Sequence, residues 1–118
     1  MKLRDIVEVL KLDVRTGSSD RLDVEVTGGY ASDLMSDVIA GAEEGNLWVT
    51  LQTHQNTVAV GVMKSLCGII LVNGREPEKE TIQKAEVQGI PLLISTMPTF
   101  ELVGRLFELG IGKKGKPA

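Results

Sequence analysis

Apolar residues recur at Leu3, Ile6, Val7 and Leu10, with Lys2, Arg4, Asp5 and Glu8 between them. That spacing is that of a short helix docking by one face. Beyond the turn residues Thr16-Gly17-Ser18-Ser19-Asp20 the period falls to two. Arg21-Leu22-Asp23-Val24-Glu25-Val26 alternates charged and aliphatic side chains strictly, which predicts a strand with one buried face. Its charged residues place it at an edge or under a cover, since unpaired charge is not buried. Thr27-Gly28-Gly29-Tyr30-Ala31-Ser32-Asp33 breaks the alternation. A glycine pair lets the backbone turn sharply and bare its N–H groups, and Ser32 and Asp33 suit a helix start. The next helix is expected from Ser32 to Gly41, with Leu34, Val38 and Ile39 inward, closed by Glu43-Glu44-Gly45-Asn46.

Leu47-Trp48-Val49-Thr50-Leu51 reads as a strand, and Gln52-Thr53-His54-Gln55-Asn56 as a polar loop. Thr57 to Lys64 is ambiguous, because its β-branched residues favour a strand while Asn56 suits a helix cap. Gly68-Ile69-Ile70-Leu71-Val72 decides it, since two parallel buried strands need a helical crossover between them. Asn73-Gly74-Arg75-Glu76 is a turn. Pro77 opens a helix carrying Ile82, Ala85 and Val87 to Gln88-Gly89. Pro91-Leu92-Leu93-Ile94 is the last strand, and Ser95-Thr96-Met97-Pro98 leads into a helix with Phe100, Leu102, Val103, Leu106, Phe107 and Leu109, stopped by Gly110. Four strand-then-helix units predict a single α/β domain, with a mainly parallel central sheet of about four or five strands and helices on both faces. Val49, Ile70 and Leu93 belong to its buried strands. Residues 1–111 form the domain and 112–118 a solvated, mobile tail.

Composition narrows the partners. With 118 residues and 42% hydrophobic content the chain suits one core. Thirteen basic against sixteen acidic residues leave a net charge of -3, with no basic cluster before the tail, so nucleic acid is not an expected partner. No apolar stretch has membrane-spanning length, and no signal peptide is evident. The lone Cys67, inside Leu66-Cys67-Gly68-Ile69, excludes an internal disulfide and a cysteine metal cluster. A cytoplasmic protein without cofactor or metal is expected.

Ligands of such folds sit beyond the carboxyl ends of the strands. Gly28–Ser32, Thr53–Asn56, Asn73–Glu76 and Ser95–Met97 are the polar segments expected there. The candidate ligand site comprises Thr27, Gly28, Gly29, Tyr30, Ser32, Thr53, His54, Asn56, Asn73 and Arg75. Gly28-Gly29 is open to two readings, an anion cradle or a plain tight turn. His54 has no evident serine or cysteine nucleophile beside it, so no catalytic residue is assigned. Cys67 reads as a small apolar residue, Trp48 as core, and Asp33 with Asp37 as solvated helix charges. Arg75 suits either a phosphate or a solvated turn.

Glu25–Leu34, Leu51–Asn56, Ile70–Arg75 and Gly89–Leu93 together resemble the DRTGG domain family, over residues 1–111. Of its Asp-Arg-Thr-Gly-Gly signature the chain keeps Thr27, Gly28 and Gly29, while Glu25 and Val26 occupy the first two positions. The resemblance implies an α/β domain similar to the N-terminal domain of HPr kinase/phosphorylase. Such domains occur alone or fused to phosphotransacetylases and to inorganic pyrophosphatases with nucleotide-sensing CBS modules, as regulatory or dimer-forming units. The likeness is to the noncatalytic end of that kinase, and no G-x-x-x-x-G-K-[ST] phosphate loop is present. The expected function is a noncatalytic, ligand-sensing regulatory module. It would bind a small anionic metabolite, an adenine nucleotide among the candidates, form a homodimer and signal to a partner enzyme. The alternatives are a pure dimerisation or protein-interaction module, or a small phosphoryl- or acyl-transfer enzyme. The alternating segment and the Thr57 helix are the expected dimer surfaces.

Overall fold

The structure, a computed structural model, describes residues 1–112. Its first helix, α1 (Leu3–Leu10), buries Leu3 and Ile6 completely and ends where Lys11 turns left-handed, φ 54°. β1 (Asp13–Thr16) follows at once. The pattern did not announce this strand, because only Thr16 of its four residues is fully buried. A single helical turn, α2 (Ser19–Leu22), leads toward β2 (Gly28–Ala31). Thereafter strand and helix alternate as expected: α3 (Met35–Gly41), β3 (Asn46–Thr50), α4 (Asn56–Met63), β4 (Gly68–Leu71), α5 (Lys79–Gln88), β5 (Leu92–Ile94) and α6 (Thr99–Glu108).

The five strands stand in the order β1-β5-β4-β3-β2. β2 to β5 are mutually parallel, and β1 lies antiparallel on β5 with Val14 opposite Leu93. Each step from β2 to β5 moves one place in the same direction. Right-handed crossovers therefore put α3, α4 and α5 on one face. There Val38, Val58, Val60 and Ala85 meet Trp48, Ile69, Leu71 and Leu92. The opposite face carries α1 and α6, whose Leu3, Ile6, Leu102 and Leu106 pack on Leu47, Val49, Ile70 and Leu93. The alternation of strand side chains thus feeds two aliphatic cores, and every residue of β3 and β4 is buried.

Two expectations are corrected. Arg21–Val26 is not a strand of the sheet: Arg21 and Leu22 finish α2 and Asp23 caps it. Glu25 forms only an isolated bridge with Lys2, while the Leu3 N–H donates to the Val24 carbonyl and the Val26 N–H to that of Met1. The charges explain this: Arg4 of α1 binds the Asp23 carboxylate at 2.6 Å and the Ser19 carbonyl at 2.8 Å, holding the segment against α1. Of its three aliphatic residues only Val26 is buried. Nor are Gly28 and Gly29 a turn. They form the first half of β2, in register with Asn46 and Leu47, and neither has positive φ. The helix expected from Ser32 begins three residues later, at Met35. Leu34 (64% exposed) and Ile39 (38%), read as inward, face solvent, as do Val87 (83%) and Phe100 (93%) of the later helices. From residue 113 onward the expected tail lies outside the described residues.

Candidate functional site

The parallel strands end at four loops, and hydrogen bonds of backbone and side chains tie these into one rim. Asp33, just past β2, accepts hydrogen bonds at Oδ1 from Thr50 Oγ1 (3.0 Å) and from the Leu51 N–H (2.7 Å), and Gln52 Nε2 donates to its carbonyl at 2.9 Å. The Thr53 carbonyl accepts from the Glu78 N–H (3.2 Å) and Thr81 Oγ1 (2.7 Å), joining the loop after β3 to the start of α5. The Asn73 and Gly74 N–H groups donate to Met97 and Ser95, joining the turn after β4 to the loop after β5. Asn73 and Gly74 both have positive φ, 58° and 64°, which makes this turn tight.

The ends of the helices give this rim its electrostatic character. Each crossover helix starts at the carboxyl edge, so N–H groups and positive dipole ends collect there and carbonyl ends collect at the other edge. At α4 the first N–H groups are satisfied: His54 Nδ1 accepts from Asn56 (3.1 Å) and the His54 carbonyl from Thr57 (3.0 Å). That bond fixes the His54 ring proton on Nε2. At α5 the Lys79 and Glu80 N–H groups, and at α6 those of Thr99, Phe100 and Glu101, meet no acceptor among the described residues. The side chains of Thr53, Asn56, Asn73 and Arg75 likewise have no hydrogen-bond partner among the described residues. Arg15 of β1 grips Glu76 through two guanidinium nitrogens, one at 2.7 Å, and also binds Asp13 at 2.9 Å. This bond holds the Glu76 carboxyl below its ordinary value and raises the Arg15 guanidinium. The carboxylate next to Arg75 thus stays ionised with its charge countered by Arg15.

The expected site set divides. Ser32, Thr53, His54, Asn56, Asn73 and Arg75 lie on the carboxyl rim. Thr27, Gly28 and Gly29 lie at the opposite edge, because Gly28 pairs with Asn46, the first residue of β3. Along the strand the two groups are about 13 Å apart. Thr27 Oγ1 donates to the Glu44 carbonyl (2.8 Å) and accepts from Asn46 Nδ2 (3.2 Å), and Tyr30 Oη donates to Asp37 (3.1 Å). That bond raises the Tyr30 phenol. Gln52, Lys79 and the open N–H groups of α6 belong to the rim but were not singled out; the signal for the last is Pro98, a residue without a capping oxygen before the helix.

Three clefts lie away from this rim. One of about 360 Å³ at the amino edge is lined by Arg21, Glu44, Ser65, Cys67 and Gly89 among others. Burial pushes the Cys67 thiol up to about 12, so it is not a nucleophile near neutral pH. A second of about 290 Å³ borders Thr27, Gly28, Gly29 and Tyr30, and a third of about 240 Å³ runs between β2 and α6. No group of three or more histidine, cysteine, aspartate or glutamate side chains among the described residues is placed to hold a metal ion. No helix among them is long and apolar enough to cross a membrane.

A solved structure shares this fold. It is the crystal structure of the CBS and DRTGG domains of the regulatory region of Clostridium perfringens pyrophosphatase, complexed with its activator diadenosine tetraphosphate. The chains are 16% identical and superpose with a TM-score of 0.69, over 94% of this chain and 47% of the other. The chain thus spans about half the length of that structure, and the likeness supports a CBS/DRTGG-like fold. No protein-family model matches the chain, and comparison with curated proteins gave no match.

Proposed function

We propose that this chain is a noncatalytic regulatory module that senses a small anionic metabolite, a phosphate ester such as an adenine nucleotide, at the carboxyl rim of its sheet. The carrying observation is the conjunction there of unpaired Arg75 with the open N–H groups that begin α5 and α6. Each helix end favours an exposed anion by about 0.3–1 kcal/mol, and a guanidinium adds a charge-assisted bond. The His54 Nε2–H and the Asn56 and Asn73 amides supply donors for ligand oxygens. Two features speak against a transferase. The Cys67 thiol is buried and protonated, and His54 Nδ1 is spent on the backbone. The regulatory character of the solved neighbour and its nucleotide activator support the same reading.

In this reading Thr27, Gly28, Gly29 and Tyr30 belong to a separate surface. Occupancy of the rim would be reported to a partner enzyme, and the module would act as a homodimer. The end of α4, with Val62 43% and Met63 63% exposed, and the segment 21–26 remain its candidate faces. Thermal shift across nucleotides and phosphorylated metabolites tests the proposal. A ligand at 100 times its Kd stabilises the fold by about 2.7 kcal/mol, which for this length raises Tm by roughly 10 °C. Arg75→Ala should remove that shift without lowering the melting temperature of the free protein. Light scattering at 12.7 kDa would refute the dimer.

A further inference from the structure

The cleft of about 360 Å³ at the amino edge opens where the chain entering β3, β4 and β5 meets Arg21, Val24 and Glu25. Three left-handed turns shape it, at Gly45, Ser65 and Gly89, with φ of 82°, 54° and 74°. At Gly89 glycine is needed twice over. A Cβ there would strain the backbone, and it would lie 3.1 Å from Nη2 and 3.3 Å from both Cζ and Nε of Arg21. Three nearly equal distances put the glycine under the face of the guanidinium. The N–H groups lie in the guanidinium plane and point past Gly89. They meet no acceptor among the described residues.

Ser65 is the second unusual feature. It stands at the left-handed position after α4, where the Ser65 N–H donates to Val62 at 3.1 Å and the Leu66 N–H to Gly61 at 2.9 Å. Such a helix end favours glycine, and a side chain there is strained. Serine instead sets a hydroxyl on the cleft wall, and that hydroxyl has no partner among the described residues. Of the two carboxylates that border the cleft, Glu25 binds the Met1 amino group at 3.0 Å, whereas Glu44 is unpaired among the described residues. Val24, Leu66 and Ile90 supply apolar wall.

Arg21 lies by Gly89, before β5, and Glu44 lies before β3, with β4 between them. The two charges are therefore rooted two strand spacings apart, about 10 Å. That span suits a small ligand carrying both charges, with a hydrogen bond of about 2.9 Å at either end. The edge itself discriminates, because it collects the carbonyl ends of α4 and α5, which favour a cation and oppose a simple anion such as phosphate. A zwitterion satisfies Arg21 and Glu44 together, and the aliphatic wall selects an apolar side chain.

We propose that this cleft binds a free aliphatic α-amino acid, its carboxylate on Arg21 and the Ser65 hydroxyl and its ammonium on Glu44. The site is independent of the metabolite rim, lying at the opposite edge of the sheet and sharing none of its residues.

The test titrates L-leucine, L-isoleucine and L-valine into the full chain and follows the backbone amides by NMR. At least one should shift Gly45, Leu66 and Gly89 saturably and leave Asn73 and Gly74 on the rim unmoved. Isocaproate, which lacks the ammonium, and isoamylamine, which lacks the carboxylate, should bind at least tenfold more weakly than L-leucine. Arg21→Gln and Glu44→Gln should each weaken the amino acid at least tenfold with the melting temperature kept, since neither side chain has a partner to lose. Ser65→Gly should weaken it at least threefold without lowering the melting temperature, because glycine is unstrained at that φ. The proposal is overturned by any of four results. These are no saturable shift with any of the three amino acids, as expected if Arg21 only offsets the carbonyl end of α5; shifts confined to other residues; affinity unchanged in both charge variants; or shifts at Gly45 and Gly89 that grow with protein concentration alone, which would mean that a second copy fills the cleft.

Discussion

Replacing Thr16 by valine tests how the sheet is held at the one place where a side chain stands in for the ladder. Thr16 is 3% exposed; its Oγ1 donates to the Ile90 carbonyl at 2.7 Å and accepts from the Leu92 N–H at 3.0 Å. The register of β1 on β5 shifts here, so the hydroxyl satisfies two main-chain groups that strand pairing leaves over. Valine has nearly the same shape and neither function. Each buried group left unsatisfied costs about 1–3 kcal/mol, so after a small gain from the extra methyl the loss should be about 2–4 kcal/mol. Against a total of about 5–15 kcal/mol that is a large fraction. At this length it corresponds to a fall in Tm of roughly 8–15 °C. Urea denaturation with an unchanged m-value measures it, and Thr16→Ser, which keeps the hydroxyl, should cost less than about 1.5 kcal/mol. A valine variant within about 0.5 kcal/mol of the wild type would refute the account of β1.

Asp33→Ala should cost about 1–2 kcal/mol, because Thr50 Oγ1 and the Leu51 N–H lose their acceptor; a denaturation midpoint unchanged from wild type would show water replacing it. Arg15 holds the Glu76 carboxyl below its ordinary value in the folded protein, so its contribution is present above the unfolded value and is lost as pH falls through the folded one. Glu76→Gln should therefore flatten the acid side of the stability profile, and identical profiles would count against the pair. Asp23, also lowered, by Arg4, adds to the same window. Cys67 should react with a thiol reagent only on unfolding, its thiol being raised to about 12; rapid labelling of the native protein at pH 8 would contradict its burial.

The sheet strands β3, β4 and β5 were legible because each is a short aliphatic run buried on both faces, and α4 because a crossover had to join two of them. The alternation of Leu22, Val24 and Val26 misled because what it buries is settled by a distant ion pair, Arg4 with Asp23, which local period does not encode. β1 was hidden for the opposite reason: an edge strand with a single buried residue has no pattern to show. Gly28 and Gly29 signalled a turn by propensity, yet the lack of side chains serves a strand whose outer face opens onto a cleft. The rim was foreseeable from topology alone, since parallel strands must end where crossover helices begin. Its open N–H groups were not, because they depend on which helices find a cap.

Isothermal titration of diadenosine tetraphosphate, ATP and AMP into wild type, Arg75→Ala and Gly29→Ala tests the central claim most directly. The account predicts saturable binding of at least one nucleotide to the wild type, weakened more than tenfold by Arg75→Ala and unchanged in Gly29→Ala. Binding that survives Arg75→Ala and disappears in Gly29→Ala, or no binding by any of the three, would contradict it.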